Sequence, residues 1–411
     1  MAIEHVDTLI VGGGQAGLTA SHMLSRRGRA HIVLERARIA ERWRTERWDG
    51  LRFQFPNWSV QLPDFPFRHD DPDGFTTSAD IVDYLTAYAA FIAAPVRSGV
   101  EVTRLQRGGG AGARFHALTS AGPIAANNVV VATGPYQRPV VPALLRDQPG
   151  LFQVHAAGYR APDQLPAGAV LVVGGGASGA QIAEELVRAG RRVFLSVGHH
   201  RRMPRRYRGR DLIWWLAEMK LDQTPVEKRG PDRALPLITG AYGGHTIDFR
   251  DFAAQGITLL GRVVSHRGSV LEIAPDLAAS LASGDAAYGA FLDLVDTYVA
   301  RRGLDVPTDP AARARLADPR EVREPLRRLD LASAGISSVI WSTGYTCDFG
   351  WIDLPVFDAE GQPVHRGGVT DVPGLYFLGL MWLSKMNSSF LSGVASDAER
   401  LADHIVSESA G

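Results

Sequence analysis

Residues 170–186 read VLVVGGGASGAQIAEEL, and residues 6–24 read VDTLIVGGGQAGLTASHML. Each stretch begins with an apolar run, continues through a glycine-rich turn and ends in a segment with helical periodicity. The chain therefore carries the same strand, turn and helix pattern twice, once at its start and once near its middle. This repetition predicts an α/β fold with two Rossmann-like domains.

The first turn, Gly12-Gly13-Gly14-Gln15-Ala16-Gly17, fits the G-x-G-x-x-G pattern of dinucleotide-binding folds. Gly12 allows the tight turn, Gly14 lets the backbone approach a pyrophosphate, and Gly17 lets helix and strand pack closely. The next β-rich run, AHIVLE, ends in Glu35, where a carboxylate can accept hydrogen bonds from a ribose diol. This order of elements predicts a dinucleotide site, with a solvated charge at a strand end as the alternative explanation of Glu35.

The second turn, Gly174-Gly175-Gly176-Ala177-Ser178-Gly179, repeats the spacing, but the strand after its helix ends differently. That strand ends in Ser196 and Val197 without a carboxylate, and Arg201 and Arg202 come soon after. Guanidinium pairs well with a 2′-phosphate that a carboxylate would repel, so the pattern favours NADPH over NADH. A solvated basic face is the alternative for most of these arginines. Different ribose chemistry at the two turns suits FAD at the first and NADPH at the second.

Bulk properties exclude several other classes of protein. A chain of 411 residues can bury a large core and divide into two domains. The formal net charge is zero, which gives no argument for nucleic acid or an anionic membrane as a partner. No apolar stretch approaches the roughly 20 residues that span a bilayer, and the first apolar run leads directly into a glycine turn, unlike a signal peptide. We therefore expect a cytoplasmic protein.

Cysteine content limits the redox chemistry that the chain can perform. Cys347 is the only cysteine, so an intrachain disulfide and a dithiol redox pair are both impossible. The remaining options for a bound flavin are reaction with oxygen, electron transfer to another acceptor, or direct oxidation of a substrate.

Several segments resemble the class B flavin-dependent monooxygenases, which include flavin-containing monooxygenases, N-hydroxylases and Baeyer–Villiger enzymes. The chain is particularly similar to the bacterial branch often labelled as predicted flavoproteins involved in potassium transport. With the two glycine turns, the resemblance covers nearly the whole chain. The segments that carry it are ERARIAERW from Glu35, RWDGLRFQFPNWSVQLPDFPF from Arg47, VVVATGPYQRPVVP from Val129, WSTGYTCDFGWID from Trp341 and GLYFLGLMWLSKMNSSFLSGVASDAERLADHI from Gly374.

The resemblance implies two three-layer ββα domains in a glutathione-reductase-like arrangement. Residues 1–160 and 336–411 are expected to form a discontinuous FAD-binding domain, and residues 161–335 an NADPH-binding domain with a helical insertion. Ala132-Thr133-Gly134 and Ser342-Thr343-Gly344 resemble the paired A-T-G strand ends that link the two domains in this family.

Two residues are candidates for catalysis. Asn57 is the best candidate for a polar group beside the isoalloxazine ring, with a turn asparagine as the alternative. His155 and Tyr159 keep the H-x-x-x-Y spacing of the family's inter-domain motif, but Gly150 lies one residue too far from His155. A cofactor-gating histidine and a structural linker histidine therefore both remain open. The motif also lacks the W-P ending of typical Baeyer–Villiger enzymes.

Further contacts to the cofactors are expected along the chain. Trp43, Trp48 and Gln54 can border the flavin, although aromatic density of this kind also suits core packing. A helix starting around Leu391 can point its positive end at the flavin, with Ser388 and Ser389 equally explained as caps. The full set of expected cofactor contacts is Gly12, Gly14, Gln15, Ala16, Gly17, Glu35, Arg36, Trp43, Trp48, Gln54, Asn57, Val102, Ala132, Thr133, Gly134, Gly174, Gly176, Ser178, Gly179, Arg201, Arg202, Thr343, Gly344, Lys385, Ser388 and Ser389.

By resemblance, NADPH reduces FAD, O2 adds at the flavin C4a, and the hydroperoxide transfers one oxygen atom to a small organic substrate. The reaction is N- or S-oxygenation or hydroxylation. The alternatives are a flavin-dependent oxidase or dehydrogenase and a non-catalytic nucleotide-binding redox sensor. The expected partners are O2 and a small molecule; a homodimer is left open, and no residue pattern predicts a metal site.

Overall fold

The computed structural model describes residues 3–109, 112–146, 148–230, 232 and 234–408. The helices are α1 (Gln15–Ser25), α2 (Glu41–Thr45), α3 (Ser78–Phe91), α4 (Ala177–Arg188), α5 (Leu212–Glu218), α6 (Phe249–Ala254), α7 (Leu277–Arg302), α8 (Arg320–Arg323) and α9 (Val394–Glu408). The strands are β1 (Glu4–Val11), β2 (His31–Glu35), β3 (Gln61–Leu62), β4 (Phe65–Pro66), β5 (Val96–Ser98), β6 (Val102–Arg107), β7 (Phe115–Thr119), β8 (Gly122–Val131), β9 (Arg138–Pro139), β10 (Phe152–His155), β11 (Ala169–Val173), β12 (Val193–Ser196), β13 (Arg201–Arg202), β14 (Arg206–Tyr207), β15 (Arg210–Asp211), β16 (Pro236–Leu237), β17 (Thr258–Leu260), β18 (Val263–Arg267), β19 (Val270–Ile273), β20 (Arg328–Asp330), β21 (Ile336–Trp341), β22 (Tyr345–Thr346) and β23 (Leu375–Phe377).

The first sheet has the strand order β5-β2-β1-β8-β7-β6, and β23 also pairs with β8. β5, β2, β1, β8 and β23 are parallel neighbours, whereas β6, β7 and β8 form an antiparallel meander. Every residue in the carboxyl-terminal half of β1 is buried, so neither face of the strand is exposed there. This is expected for a parallel strand that is covered on both sides. α1 packs against α9, so the two ends of the chain share one hydrophobic core.

The second sheet is wholly parallel and has the order β10-β21-β11-β12-β17. Its outer strand β10 and its neighbour β21 come from the two segments that connect the sheets. The predicted domain boundaries at 160 and 336 therefore need correction, because β10 precedes the first and β21 follows the second. By sheet membership, the chain enters this domain before Phe152 and leaves it after Trp341.

The helical insertion lies between β12 and β21. Its elements include α5, the 26-residue helix α7 and the antiparallel sheet β18-β19-β20. α5 and α7 share a separate hydrophobic cluster that includes Trp215 and Phe291. At the end of the chain, α9 begins at Val394 rather than around Leu391, because residues 391–393 form a turn. Within the described ranges, no helix is long and apolar enough to cross a membrane.

Candidate functional site

The first glycine turn has the shape that its sequence predicts. Gly12 has φ of +115°, and a Cβ there would lie 2.5 Å from the carbonyl oxygen of Ala132, whose own N–H donates to Val11 at 2.8 Å. A Cβ at Gly17 would collide with the Gly12 carbonyl, which explains the close contact of helix and strand. A Cβ at Gly14 would meet no heavy atom of the described chain within 4 Å. The turn is thus closed on the protein side and open at Gly14.

The second turn repeats this geometry residue by residue. Gly174 has φ of +111°, and a Cβ there would collide with the carbonyl of Ser342, whose N–H donates to Val173 at 2.8 Å. A Cβ at Gly179 would collide with the Gly174 carbonyl. A Cβ at Gly176, by contrast, has no heavy atom of the described residues within 4 Å. Both A-T-G-like strand ends therefore lie directly under a glycine turn.

The open space at both turns fits a dinucleotide pyrophosphate. α1 and α4 begin at these turns, so their free N–H groups and positive dipole ends face the space that a phosphate would occupy. Ser178 lies half-buried in the first turn of α4. The Ser342 hydroxyl is buried beside the second turn and has no hydrogen-bond partner among the described residues.

Glu35 lies against the first turn, at the end of β2. Its Oε2 accepts from the Gly13 N–H at 2.8 Å, and its Oε1 accepts from the Ala37 N–H at 3.0 Å. These bonds hold the half-buried carboxylate beside the turn, where a ribose would lie. Arg36 is exposed at the same edge, and Val102 is buried at the start of β6.

The second turn has an apolar residue at the position of that carboxylate. The Gly12 N–H donates to the Leu34 carbonyl at 2.8 Å, and the Gly174 N–H donates to the Ser196 carbonyl at 3.1 Å. Because Leu34 and Ser196 are equivalent, the next residues, Glu35 and Val197, are equivalent too. The two turns therefore differ at one equivalent position, which holds the carboxylate of Glu35 in the first and the apolar side chain of Val197 in the second.

The arginines beyond this strand have different environments. Arg202 is buried, with its guanidinium 2.7 Å from Asp248 and 2.9 Å from Asp285, and it stacks over Tyr288 at 4.3 Å. This placement contradicts the prediction that Arg202 contacts a cofactor, because its charge serves the attachment of α7. Arg201 is partly exposed and lies 3.9 Å from the nearest carboxylate, that of Asp232.

Arg262 is a basic residue that sequence reasoning missed. Its side chain packs against Gly198, where a Cβ would lie 3.5 Å from it, and it is 66% exposed. Its Nε pairs with the Asp276 carboxylate at 2.5 Å, which leaves the terminal nitrogens of the guanidinium for a ligand. Arg262 follows β17, the neighbour of β12, so the sheet brings it beside the loop after Val197. The available signal was an arginine just after a short apolar run, in LLGR.

The strand-end turn at Gly344 is tied to the linker by His155. Its Nε2 donates to the Gly344 carbonyl at 3.0 Å and its Nδ1 accepts from the Ala157 N–H at 3.1 Å, a pattern that assigns the neutral tautomer. Burial lowers the pKa of His155. In the turns themselves, Thr133 accepts from Gln137 at 3.0 Å and the Thr343 hydroxyl donates to the Val140 carbonyl.

Asn57 is held in place by its own loop and retains a free acceptor. Its Nδ2 donates to the Asp71 carbonyl at 2.8 Å and its backbone N–H donates to the Gly74 carbonyl at 2.9 Å. The residue is 2% exposed, and its Oδ1 is buried without a hydrogen-bond partner in the described parts of the chain. The carbonyl of nearby Gln54 accepts from Arg205 at 2.7 Å, and this fully buried arginine joins the insertion to the first domain.

Only part of the predicted aromatic wall forms one group. Trp43 contacts Phe53 edge-on at 5.6 Å, Phe53 contacts Phe55 at 5.3 Å, and Phe55 contacts Phe390 at 4.9 Å. Trp48 instead lies in the core of the second domain. This placement favours the core-packing alternative for Trp48, because the same cluster contains Ala156 and Tyr159 of the inter-domain linker.

The segment around Lys385 reaches the first glycine turn. Gln15 donates through Nε2 to the Ser389 carbonyl at 2.6 Å. The buried Ser388 hydroxyl accepts from the Lys385 N–H at 3.1 Å within its own turn, and it does not cap α9, which begins at Val394. Gly379 was missed: a Cβ there would lie 2.6 Å from that of Ala16, so the strand end after β23 also borders the first turn.

A cavity of about 440 Å³ lies at the other end of this segment, between residues 55–61, residues 385–399 and α5. Asp222 and Asn387 line it, and neither was predicted from the sequence. No group of three or more histidine, cysteine or acidic side chains in the described residues could hold a metal ion.

Several known proteins are similar to this chain in sequence. Residues 9–216 match the family described as pyridine nucleotide-disulphide oxidoreductase. The chain is 32% identical over 407 residues to the uncharacterized oxidoreductase CzcO-like of Geobacillus kaustophilus, covering 98% of each. It is also 33% identical over 195 residues to indole-3-pyruvate monooxygenase YUCCA1 of Oryza sativa subsp. japonica, covering 46% of this chain and 47% of that protein.

Solved structures show the same fold. The flavin-containing monooxygenase from Stenotrophomonas maltophilia matches with a TM-score of 0.67 and 20% identity, covering 98% of this chain and 99% of its own. Thioredoxin reductase from T. acidophilum matches with a TM-score of 0.52 and 15% identity, covering 99% and 100%. The predicted fold class and the relationship to flavin-dependent oxidoreductases are confirmed. The chain belongs to the pyridine nucleotide-disulphide oxidoreductase family.

Proposed function

We propose that the protein is an NADPH-dependent FAD monooxygenase that transfers one oxygen atom from O2 to a small organic molecule. The pair of matching glycine turns that differ at one position carries this proposal. Glu35 at the first turn suits the free ribose hydroxyls of FAD, and Val197 at the second leaves room for a 2′-phosphate. Two distinct nucleotides bound side by side suit hydride transfer from nicotinamide to flavin.

The residues of this chain would bind and orient the two cofactors. NADPH supplies a hydride, and FAD accepts it and reacts with O2. The free N–H groups at the starts of α1 and α4 hold the two pyrophosphates, and Arg201 and Arg262 attract the 2′-phosphate of NADPH. The unpartnered Oδ1 of Asn57 accepts a hydrogen bond from bound cofactor.

The reacting region also needs to exclude water, because solvent access promotes side reactions. The aromatic group Trp43, Phe53, Phe55 and Phe390 can serve that purpose, since two of its members, Phe55 and Phe390, line the cavity. His155 has both ring nitrogens bound to backbone groups, which favours a positioning role over proton transfer. The single cysteine excludes a relay through two thiols of this chain.

The test is to mix the purified FAD protein with NADPH without oxygen, follow the flavin absorbance, and then admit 18O2 with thioanisole as a model sulfide. We expect NADPH to bleach the flavin and one labelled oxygen atom to appear in the sulfoxide. Bleaching followed only by labelled hydrogen peroxide, without labelled sulfoxide, would favour an oxidase. Flavin that NADPH does not reduce would overturn the proposal and favour a nucleotide sensor.

A further inference from the structure

The cavity between the two domains is apolar on most of its surface. Phe55 and Trp58 come from one side, Phe390 from a second, and Ile213 and Leu216 of α5 from a third. Its volume of about 440 Å³ is suited to a small organic molecule. Since α5 belongs to the insertion, the cavity exists only where the insertion packs on the first domain.

A carboxylate and an amide side chain at the cavity are locked to each other. The Asn387 backbone N–H donates to the Asp222 carbonyl at 2.9 Å, and the Asn387 Nδ2 donates to the Asp222 Oδ2 at 2.9 Å. Asn387 is 5% exposed, so this pair forms part of the cavity wall. The two side chains are therefore fixed relative to each other before any ligand arrives.

Each member of the pair has one acceptor oxygen left over. The Oδ1 of Asp222 and the Oδ1 of Asn387 are both buried, and neither has a hydrogen-bond partner among the residues that the structure describes. Unpaired buried acceptors are unfavourable unless a ligand or water donates to them. Two such acceptors on an interlocked pair suit a ligand group with more than one N–H.

The charges around the pair agree with a cationic donor. Burial raises the pKa of Asp222, while the Asn387 hydrogen bond, the charge of Lys385 and the nearby backbone N–H groups of Gln223 and Asp222 oppose this effect. Lys385 and Glu399 also line the cavity, and Glu399 is 62% exposed and lies 3.9 Å from Arg27. Asp222 is therefore the carboxylate that lies within the cavity wall. An ammonium group bound there would form an ion pair with it.

We propose that this cavity is the substrate pocket and that Asp222 and Asn387 anchor the ammonium group of a small aromatic or apolar amine. Phe55, Trp58 and Phe390 pack on its hydrocarbon body. An ammonium held by a carboxylate has no free electron pair, so it serves as an anchor and the atom that reacts lies elsewhere in the molecule. That the bound amine is the substrate rests on the proposed monooxygenase function. That the pocket binds an ammonium group does not depend on that function.

The position of the pocket supports its use as a substrate site. Phe390 follows Ser389, whose carbonyl accepts from Gln15 at the first glycine turn. Phe55 contacts Phe53 in the aromatic group that leads towards Trp43. One short segment and one aromatic group thus connect the pocket with the first nucleotide site.

Equilibrium binding to the oxidised FAD protein, measured by calorimetry without NADPH, tests the inference. The probes are phenethylammonium, phenethyltrimethylammonium, which has the charge but no N–H group, and 3-phenylpropionate, which has the opposite charge. We expect phenethylammonium to bind about tenfold or more tightly than either of the others, since each lacks the donor or the charge. Equal affinities for the three probes on the unmodified protein would overturn the inference.

Two variants locate the site. Asp222→Asn keeps the size of the side chain but removes its charge, and we expect it to weaken phenethylammonium binding about tenfold or more. Asp305→Asn, at an exposed acid of the same insertion, is the matched control and should bind phenethylammonium as the wild type does. Unchanged binding to Asp222→Asn would also contradict the inference. Because neither measurement uses NADPH or O2, failure here and failure of the monooxygenase proposal are separate outcomes.

Discussion

At Gly14 and Gly176, an added methyl group would enter space left open by the protein. Both residues have φ values that alanine adopts readily, −89° and −72°. We expect Gly14→Ala to lower the FAD content of the purified protein and to leave its unfolding temperature almost unchanged. Gly176→Ala should retain FAD and raise the KM for NADPH roughly tenfold or more, because the methyl group blocks the pyrophosphate.

Gly17→Ala is the control for these two variants. Its Cβ would collide with the Gly12 carbonyl, so it should reduce the yield of folded protein rather than act on a nucleotide alone. Equal loss of FAD in Gly14→Ala and Gly176→Ala would contradict the assignment of one cofactor to each turn.

The three arginines near the second turn have separable roles. We expect Arg201→Ala with Arg262→Ala to weaken NADPH roughly tenfold or more, with much less effect on NADH, because only NADPH carries the phosphate they would contact. Arg202→Ala should instead lower the unfolding temperature, since it leaves Asp248 buried without its main partner. Steady-state KM values for both nucleotides and thermal unfolding distinguish the roles. Equal losses for NADPH and NADH in the double variant would refute the phosphate assignment.

At the scale of elements, β10 and the turn after β21 are joined by His155. Burial lowers the pKa of His155 in the folded protein, whereas in the unfolded chain a histidine titrates near pH 6.5. Below about pH 6.5 the unfolded state binds more protons, so stability falls as the pH decreases. We expect His155→Phe to lower the free energy of unfolding at pH 7 by about 1–3 kcal/mol, because the Ala157 N–H loses its acceptor. Its stability should then depend less on pH between about 7 and 5 than that of the wild type.

Urea titrations at several pH values measure this effect, with His5→Phe at an exposed position as the control. Stopped-flow reduction of the flavin by NADPH should proceed in His155→Phe if the residue only positions the strand-end turn. Loss of flavin reduction in a variant of unchanged stability would support a catalytic histidine instead.

The elements nearest the glycine turns were predictable because local sequence determines them. A parallel strand, a turn with positive φ at Gly12 and Gly174, and a helix start each leave a pattern within about 20 residues. Arg202 was assigned to a cofactor on proximity in sequence, and Trp48 on the aromatic density of its segment. Their real environments depend on partners far along the chain, such as Asp285 for Arg202, and no local pattern reports those contacts.

At the scale of the whole molecule, the candidate substrate pocket could not be predicted. Asp222 lies in the insertion and Asn387 near the end of the chain, and only the packing of the insertion on the first domain brings them together. The predicted domain boundaries differ from the sheet membership for a related reason. Strands β10 and β21 of the second sheet come from the segments that connect the two sheets. Long-range packing therefore forms the cavity, whereas local sequence forms the two glycine turns.

The family to which the chain belongs includes disulfide reductases in its name, so the route of electrons in this molecule needs a direct test. Cys347 is the only cysteine, it is half-buried, and burial raises the pKa of its thiol. A thiol held in its protonated form is a poor nucleophile, and a single one cannot form an intrachain disulfide. We expect Cys347→Ser to consume NADPH and O2 at wild-type rates within a factor of about two, because surface or uninvolved positions change little on substitution. A large fall in NADPH consumption in a folded, FAD-loaded Cys347→Ser protein would show that electrons leave the flavin through sulfur and not through oxygen.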